Sequence, residues 1–460
     1  MSEFSKGVVY MKDVKKLSLF AITWPIFIEV LLHMLMGNAD TLMLSQYSDD
    51  AVASVGVANQ ILYVIIVMFG FIATGTAILV AQHLGAKEEE TAEEVSRVSI
   101  VANLLFGIVL SVVLFIFGEH LLRLMKLPDE LLHEANSYLV IVGGFSFIQA
   151  IIMTIGAILK SYGFTRDTMY ITIGMNLLDV VGNYLFIFGP FGIPVLGVEG
   201  VAISTTVSRT IGLLVIFALL MKRTNISLSI SRLISLPIPH VKSLLKIGIP
   251  SAGEHLSYNT SQMLITYFIT LLGTEAITTK IYVQNLIMFI VLFGVAISQG
   301  TQIIVGHLVG AQQYEEAYKR CLKSLWLAIG VSTMIAAISY AFSDSLFSIF
   351  TTNEQIMKTG SILLLLTIIL EPGRSFNVVI INSLRAAGDV KFPVYMGILS
   401  MWGISVPISY FLGIEYGLGL AGVWIAFIVD EWLRGLLMLW RWRSRIWQQK
   451  SFVHSTIGTA

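Results

Sequence analysis

Twelve stretches of this chain stay predominantly apolar long enough to cross a lipid bilayer, and that removes most folds from consideration. Crossing the hydrocarbon core takes about 20 helical residues. Lipid offers no hydrogen bonds to the backbone, so only helices and closed barrels can span it. The runs fall at 17–44, 52–84, 96–118, 135–158, 168–189, 196–221, 243–272, 277–309, 320–343, 357–383, 392–413 and 418–440. They are too long, and too little alternating, to be barrel strands. The predicted fold is an all-α integral membrane protein with 12 transmembrane helices. Composition agrees: 13% of residues are charged, against about 25% in a soluble domain. Spans one, two, seven and eight are long, which predicts tilt or extension beyond the bilayer.

The chain also repeats itself at an offset of 225 residues. Pro25 and Glu29 of W-P-I-F-I-E map onto Pro250 and Glu254 of I-P-S-A-G-E. Gly75-Thr76 maps onto Gly300-Thr301, Gly85-Ala86 onto Gly310-Ala311, and L-K-S-Y-G from Leu159 onto L-R-A-A-G from Leu384. Six spans per half is an even number, so both halves enter from the same side. The expected organisation is two pseudo-symmetric parallel lobes, 1–221 and 243–460, joined by a cytoplasmic linker, 222–242. That polar, Pro-containing linker predicts a short amphipathic segment at the membrane surface. Duplicated membrane lobes with a path between them suit alternating access by rocking one lobe against the other.

Orientation follows from lysine and arginine, which collect on the cytoplasmic side. The termini and the even-to-odd connections hold 22 of the 29 basic residues, and the opposite connections hold only Arg123, Lys126, Lys280 and Lys358. Both termini are therefore expected in the cytoplasm of a cell whose plasma membrane the chain spans many times. Lys12, Lys15 and Lys16 lead into a full-length first span, the pattern of a retained helix rather than a cleaved signal. The terminal W-R-W-R-S-R-I-W reads as an interfacial tryptophan belt with cytoplasmic arginines.

Several function classes are disfavoured at once. Basic and acidic residues balance at 29 each, which argues against nucleic acid as a partner. The single cysteine, Cys321, excludes an intramolecular disulfide or a cysteine metal cluster, and is read as a small apolar filler. No G-x-x-x-x-G-K-[ST] is present to cradle ATP and no H-E-x-x-H to bind zinc, so neither a primary pump nor an enzyme is expected, and no cofactor.

Charged groups inside the spans carry the functional argument. Each costs roughly 2.5–3.5 kcal/mol at a helix centre and is a functional candidate by default. The candidates are Glu29, Asp40, Asp179, Glu254, Glu371, Arg374 and the Asp430-Glu431 pair, while Arg209 and Arg434 also fall inside spans. Asp179 lies mid-span in M-N-L-L-D-V-V-G-N-Y-L, and Asn176, Asp179 and Asn183 share one helix face by their i, i+3, i+7 spacing. A carboxylate between two amides can hold a proton or coordinate a small cation. Asp40, near the outer end of span one, admits two readings, coupling acid or interfacial residue. Glu29 and Glu254 each follow a proline by one turn, so they either line an opening seam or pair with a histidine or arginine. Glu371-Pro372-Gly373-Arg374 reads as an internal ion pair, with substrate contact second.

With these residues in view, N-A-D-T in span one, N-Y-L-F-I-F-G closing span five, G-V-E-G-V-A-I-S-T opening span six and L-R-A-A-G-D-V-K-F-P after span ten resemble the multidrug and toxic compound extrusion (MATE) family, prokaryotic DinF-like and NorM-like members, over essentially the whole chain. The resemblance implies a secondary antiporter, a monomer, that exports organic and often cationic compounds against inward H⁺ or Na⁺. It also implies an N-lobe ion site of Asp40, Tyr138, Asp179 with Asn183, and Thr205, with Asp40 and Asp179 able to share Na⁺. Two departures stand out. Family members place Asn before Asp in span five, whereas Asp179 precedes Asn183 here. NorM-like members place sodium-linked acids in spans seven and ten, and Glu254 and Glu371 do not fall on those positions. The N lobe is thus expected to couple, with H⁺ preferred over Na⁺. The alternative within transport is a flippase for lipid-linked oligosaccharide or lipid, which would want a cationic cavity.

Overall fold

The computed structural model describes residues 18–226 and 237–453. The expected surface segment of the linker falls mainly on 227–236, and Lys12, Lys15 and Lys16 on the first residues, so both lie outside the described residues.

Each predicted apolar run is a helix. In order they are α1 (Leu19–Ser45), α2 (Asp49–Gly85), α3 (Glu89–Leu124), α4 (Asp129–Ser161), α5 (Thr165–Phe188), α6 (Gly197–Arg223), α7 (Ile238–Thr270), α8 (Thr274–Gly310), α9 (Tyr314–Ala341), α10 (Glu354–Ala386), α11 (Lys391–Glu415) and α12 (Gly419–Arg443). The protein is an all-α membrane protein. Among the described residues nine helices are individually long and apolar enough to cross a membrane, and α4 makes a tenth. The two that fall short are α7 and α12. They carry Lys242, Lys246 and Glu254, and Asp430, Glu431 and Arg434, charges that dilute an otherwise apolar run.

Two of the helices are irregular. In α4 a π-turn, Leu139–Gly143, interrupts the α geometry, and the helix bends by 43°. In α11 two π segments, Met401–Ser405 and Phe411–Glu415, flank Val406–Tyr410. Such widened turns redirect side chains and occur often at functional positions. Pro25, Pro250 and Pro372 sit inside α1, α7 and α10, where each removes one backbone hydrogen bond.

The internal repeat extends to the backbone. Adding 225 to the bounds of α2 gives those of α8, and adding it to those of α4 gives those of α10. Turns repeat too: Lys87 and Gln312 are both left-handed, with φ 64° and 58°, as are Gly163 and Gly388, with φ 86° and 93°.

Two compact units emerge. One holds Ile28–Leu84 and Glu88–Gly248; the other holds Ser18–Phe27, Gly85–Lys87 and the chain from Ile249 onward. The first is built around Leu44, Leu62, Phe69, Leu114, Leu139 and Val201. The second packs around Ile265, Val283, Phe347, Leu363, Val423 and Trp424.

The terminal tryptophans are not the interfacial belt that the sequence suggested. Trp440 is 59% exposed, but Trp442 and Trp447 are fully buried and stack at 4.2 Å with their rings 6° from parallel. The reason is a reversal at Arg445 (φ 58°) into a 3₁₀ turn, Ile446–Gln449, which folds Trp447 back so that its indole N–H donates to the Trp442 carbonyl at 2.8 Å. The Lys450 carbonyl then lies 2.0 Å from where a Cβ on Gly388 would stand. Only glycine fits there, for space as well as for its positive φ.

Candidate functional site

In the first unit, α1, α5 and α6 bring two acids of the N-terminal half, Asp40 and Asp179, to one place. Asn183 of α5 donates from Nδ2 to Asp40 Oδ1 of α1 at 2.7 Å. One turn before it, Asp179 is held from the other side: Ser204 of α6 donates to its Oδ1 at 3.1 Å and Thr205 to its Oδ2 at 3.5 Å. Asp179, Asn183 and Thr205 are all buried, and Asp40 is half-buried. The close approach of α5 and α6 depends on Gly182, whose absent Cβ would lie 2.1 Å from Ser204 Oγ.

The predicted polar stripe on α5 therefore divides its work. Asn176 donates to the Leu32 carbonyl of α1 at 3.1 Å, so the two amides clasp α1 while the carboxylate between them is held by α6. Tyr138 of α4 is buried, meets the Asn59 side chain, and lies within charge–charge range of both Asp40 and Asp179. Oδ1 of Asn183, fully buried, has no hydrogen-bond partner. Carboxylate, amide and hydroxyl oxygens converge here, a donor set suited to a proton or a hard monovalent cation.

Sequence reasoning passed over one charged neighbour. Arg209 of α6 stands one turn beyond Thr205 on the same helix face, within charge–charge range of Asp40 and Asp179. A basic residue mid-span, four positions from a candidate ligand, was the available signal. Ser204, which holds Asp179 through both its carboxylate and its backbone carbonyl, left no comparable signal.

Glu29 and Glu254 lie apart from this cluster, each in its own unit. Glu29 meets Lys160 Nζ at 2.7 Å and accepts from Thr168 at 3.1 Å. Glu254 pairs with Arg385. The two pairs are one pair repeated, since 29 and 160 become 254 and 385 under the same offset. Of the two readings for these glutamates, the geometry is that of ion pairing, with lysine in one half and arginine in the other. Arg374 Nη1 donates to Glu371 at 2.5 Å, the internal pair read from Glu-Pro-Gly-Arg, and its Nε reaches Glu431 at 3.9 Å. Arg434 contacts Asp430 at 3.3 Å and Glu431 at 3.0 Å.

An all-helical membrane chain built twice over, with oxygen-rich acids buried in its first half, defines a membrane transporter rather than an enzyme. The MatE family model matches residues 25–185 and again 250–411, the two halves of the repeat. The chain belongs to the MATE family of multidrug efflux transporters, whose members are ion-coupled. It is 57% identical to the "Uncharacterized transporter YisQ" of Bacillus subtilis, over 95% of this chain and 96% of that one. It is 26% identical to the "Probable multidrug resistance protein NorM" of Thermotoga maritima, over 96% and 94%. Its fold is similar to a MOP superfamily transporter from Pyrococcus furiosus, with TM-score 0.84 at 21% identity over 97% and 99% of the two chains. A crystal structure of a MATE protein in a bent conformation matches at TM-score 0.86 and 19% identity, over 96% and 98%.

Proposed function

We propose that this protein is a secondary antiporter of the plasma membrane, a monomer with both termini cytoplasmic. It exports organic, often cationic and amphipathic compounds, coupled to inward proton flow through the N-lobe acids. The observation that carries the reading is the Asn183–Asp40 hydrogen bond at 2.7 Å, which ties α1 to α5 beside a second buried carboxylate, Asp179.

Two carboxylates near each other in a low-dielectric interior repel when both are ionised. A proton on one of them, or Na⁺ between them, relieves that repulsion and changes how α1 packs on α5 and α6. Substrate leaves as the ion arrives. Protons are preferred over Na⁺ because the acids of spans seven and ten do not match a sodium-linked C-lobe site, and both are engaged elsewhere: Glu254 with Arg385 and Glu371 with Arg374. The flippase reading wants free cationic groups for a pyrophosphate, whereas Arg374 and Arg434 are both bound by carboxylates.

The test is efflux of a cationic dye from proteoliposomes, first with an imposed proton gradient and then with an imposed Na⁺ gradient. Proton-driven efflux is expected, and Asp40→Asn should abolish it while leaving expression and membrane insertion intact. Near-normal gradient-driven efflux by that variant would sink the assignment of Asp40. Transport driven by Na⁺ alone would overturn the choice of ion.

A further inference from the structure

The 225-residue offset places Arg209 of α6 on Arg434 of α12, Thr205 on Asp430, Met175 on Ser400, and His33 on Tyr258. The charged centre of the first unit thus has a counterpart in the second, with its parts exchanged between helices. In the first unit the acid, Asp179, is on α5 and the hydroxyls that hold it, Ser204 and Thr205, are on α6. In the second the acid, Asp430, is on α12, and Ser400 of α11 donates to it. Arginine keeps its place in both.

The second centre is the more heavily charged. Arg434 Nη2 bridges Asp430 Oδ2 and Glu431 Oε2, and Glu371 and Arg374 of α10 complete the set. From α7, Tyr258 and Glu254 face the same groups, the latter already bound by Arg385. With every member ionised, Glu371, Asp430 and Glu431 oppose only Arg374 and Arg434, so one negative charge is in surplus. The Asp430, Glu431 and Arg434 side chains are only 7%, 13% and 8% exposed. An uncompensated charge so buried is costly.

A second, independent observation points to the same missing partner. Asn377, 3% exposed, spends its Nδ2 on Glu431, meeting the backbone carbonyl at 2.8 Å and Oε2 at 2.5 Å. Its Oδ1, on the same amide, is a buried acceptor with no donor. One proton on this cluster cancels the surplus charge, and a carboxylic O–H beside Asn377 is a donor of the kind that its Oδ1 lacks. Among the described residues no group of three or more acidic, histidine or cysteine side chains is placed to hold a metal ion.

We propose that the C-terminal unit contains a second proton-binding centre, formed by Asp430, Glu431 and Arg434 with Glu371, Arg374 and Asn377, and that it holds one proton besides any bound by Asp40 and Asp179. It is distinct from the Glu254–Arg385 pair and does not require that the N-lobe acids couple transport.

The experiment removes those N-lobe acids first. Purified protein carrying Asp40→Asn and Asp179→Asn is titrated by pH jump with a soluble pH dye, and its carboxyl groups are followed by infrared difference spectroscopy. The expected result is one exchangeable proton that tracks a buried carboxylic-acid carbonyl band. Adding Asp430→Asn should remove one proton per chain, and adding Arg434→Gln should instead add one. Misfolding would not move the count in opposite directions. The absence of any buried carboxylic-acid band in the parent variant overturns the proposal without a C-lobe substitution, as does an unchanged count in both C-lobe variants. Failure here leaves the N-lobe assignment standing, because that assignment is read separately from efflux by Asp40→Asn.

Discussion

At the scale of single residues, the energetic question is what each buried charge is paired with. Glu29 and Lys160 are 15% and 18% exposed, so losing either partner strands a charge away from water. Breaking a buried pair from one side costs about 3–5 kcal/mol, while replacing both partners with apolar or neutral groups is often close to neutral. Lys160→Met alone should therefore lower the thermal midpoint of the detergent-solubilised protein markedly, and Lys160→Met with Glu29→Gln should recover most of the loss. Arg385→Met with Glu254→Gln should behave the same way in the other unit. Additive losses in either double variant, measured by thermal unfolding, would show that these pairs do not act as pairs. The candidacy of Glu29, Glu254 and Glu371 was legible in the sequence, because an acid in an apolar run is conspicuous. Their partners were legible only for Glu371 and Arg374, which lie three positions apart on one helix. Lys160 and Arg385 stand 131 residues from their glutamates, and no local pattern spans that distance.

At the scale of elements, the C-terminal turn shows why a composition argument can fail. Tryptophans alternating with arginines describe an interfacial belt on average, but a reversal at one left-handed residue, Arg445, buries Trp442 and Trp447 against each other. Truncating a buried aromatic of this size costs about 3–5 kcal/mol. Trp447→Ala should release the turn and expose residues near Lys450 to limited proteolysis. Gly388→Ala should do so too, since its Cβ would stand 2.0 Å from the Lys450 carbonyl. Protease resistance equal to the parent in both variants would refute the clasp. The polar stripe on α5 carries a similar lesson. Spacing placed Asn176, Asp179 and Asn183 on one face, but only packing divided them, two amides to α1 and the carboxylate to α6.

At the scale of the molecule, the fold class was readable because lipid allows so few solutions. The twelve apolar runs each became a helix, with boundaries displaced where charged ends continue the helix beyond the apolar run, as in α3, which spans Glu89–Leu124. The proposed topology has a direct check. Cys321 is the only cysteine and is buried, so in a Cys321→Ser background a single cysteine placed at Asp49 or Lys358 should react with an impermeant maleimide on intact cells. One placed at Lys87 or Lys319 should react only after the membrane is opened. The reverse pattern would invert the proposed orientation.

The amino-acid sequence by itself determined that the chain is helical, lies in a membrane and is built twice, because hydropathy and the 225-residue offset are properties of the chain read in order. It also exposed most of the buried charges, since each interrupts an apolar run. Tertiary structure alone decided which charge meets which. Asp40 reaches Asn183 across 143 residues, and Arg434 gathers two acids of its own helix while Arg374 approaches one of them from α10. Those pairings depend on how helices pack side by side, which is set by the whole set of contacting faces and by close approaches such as Gly182 on Ser204.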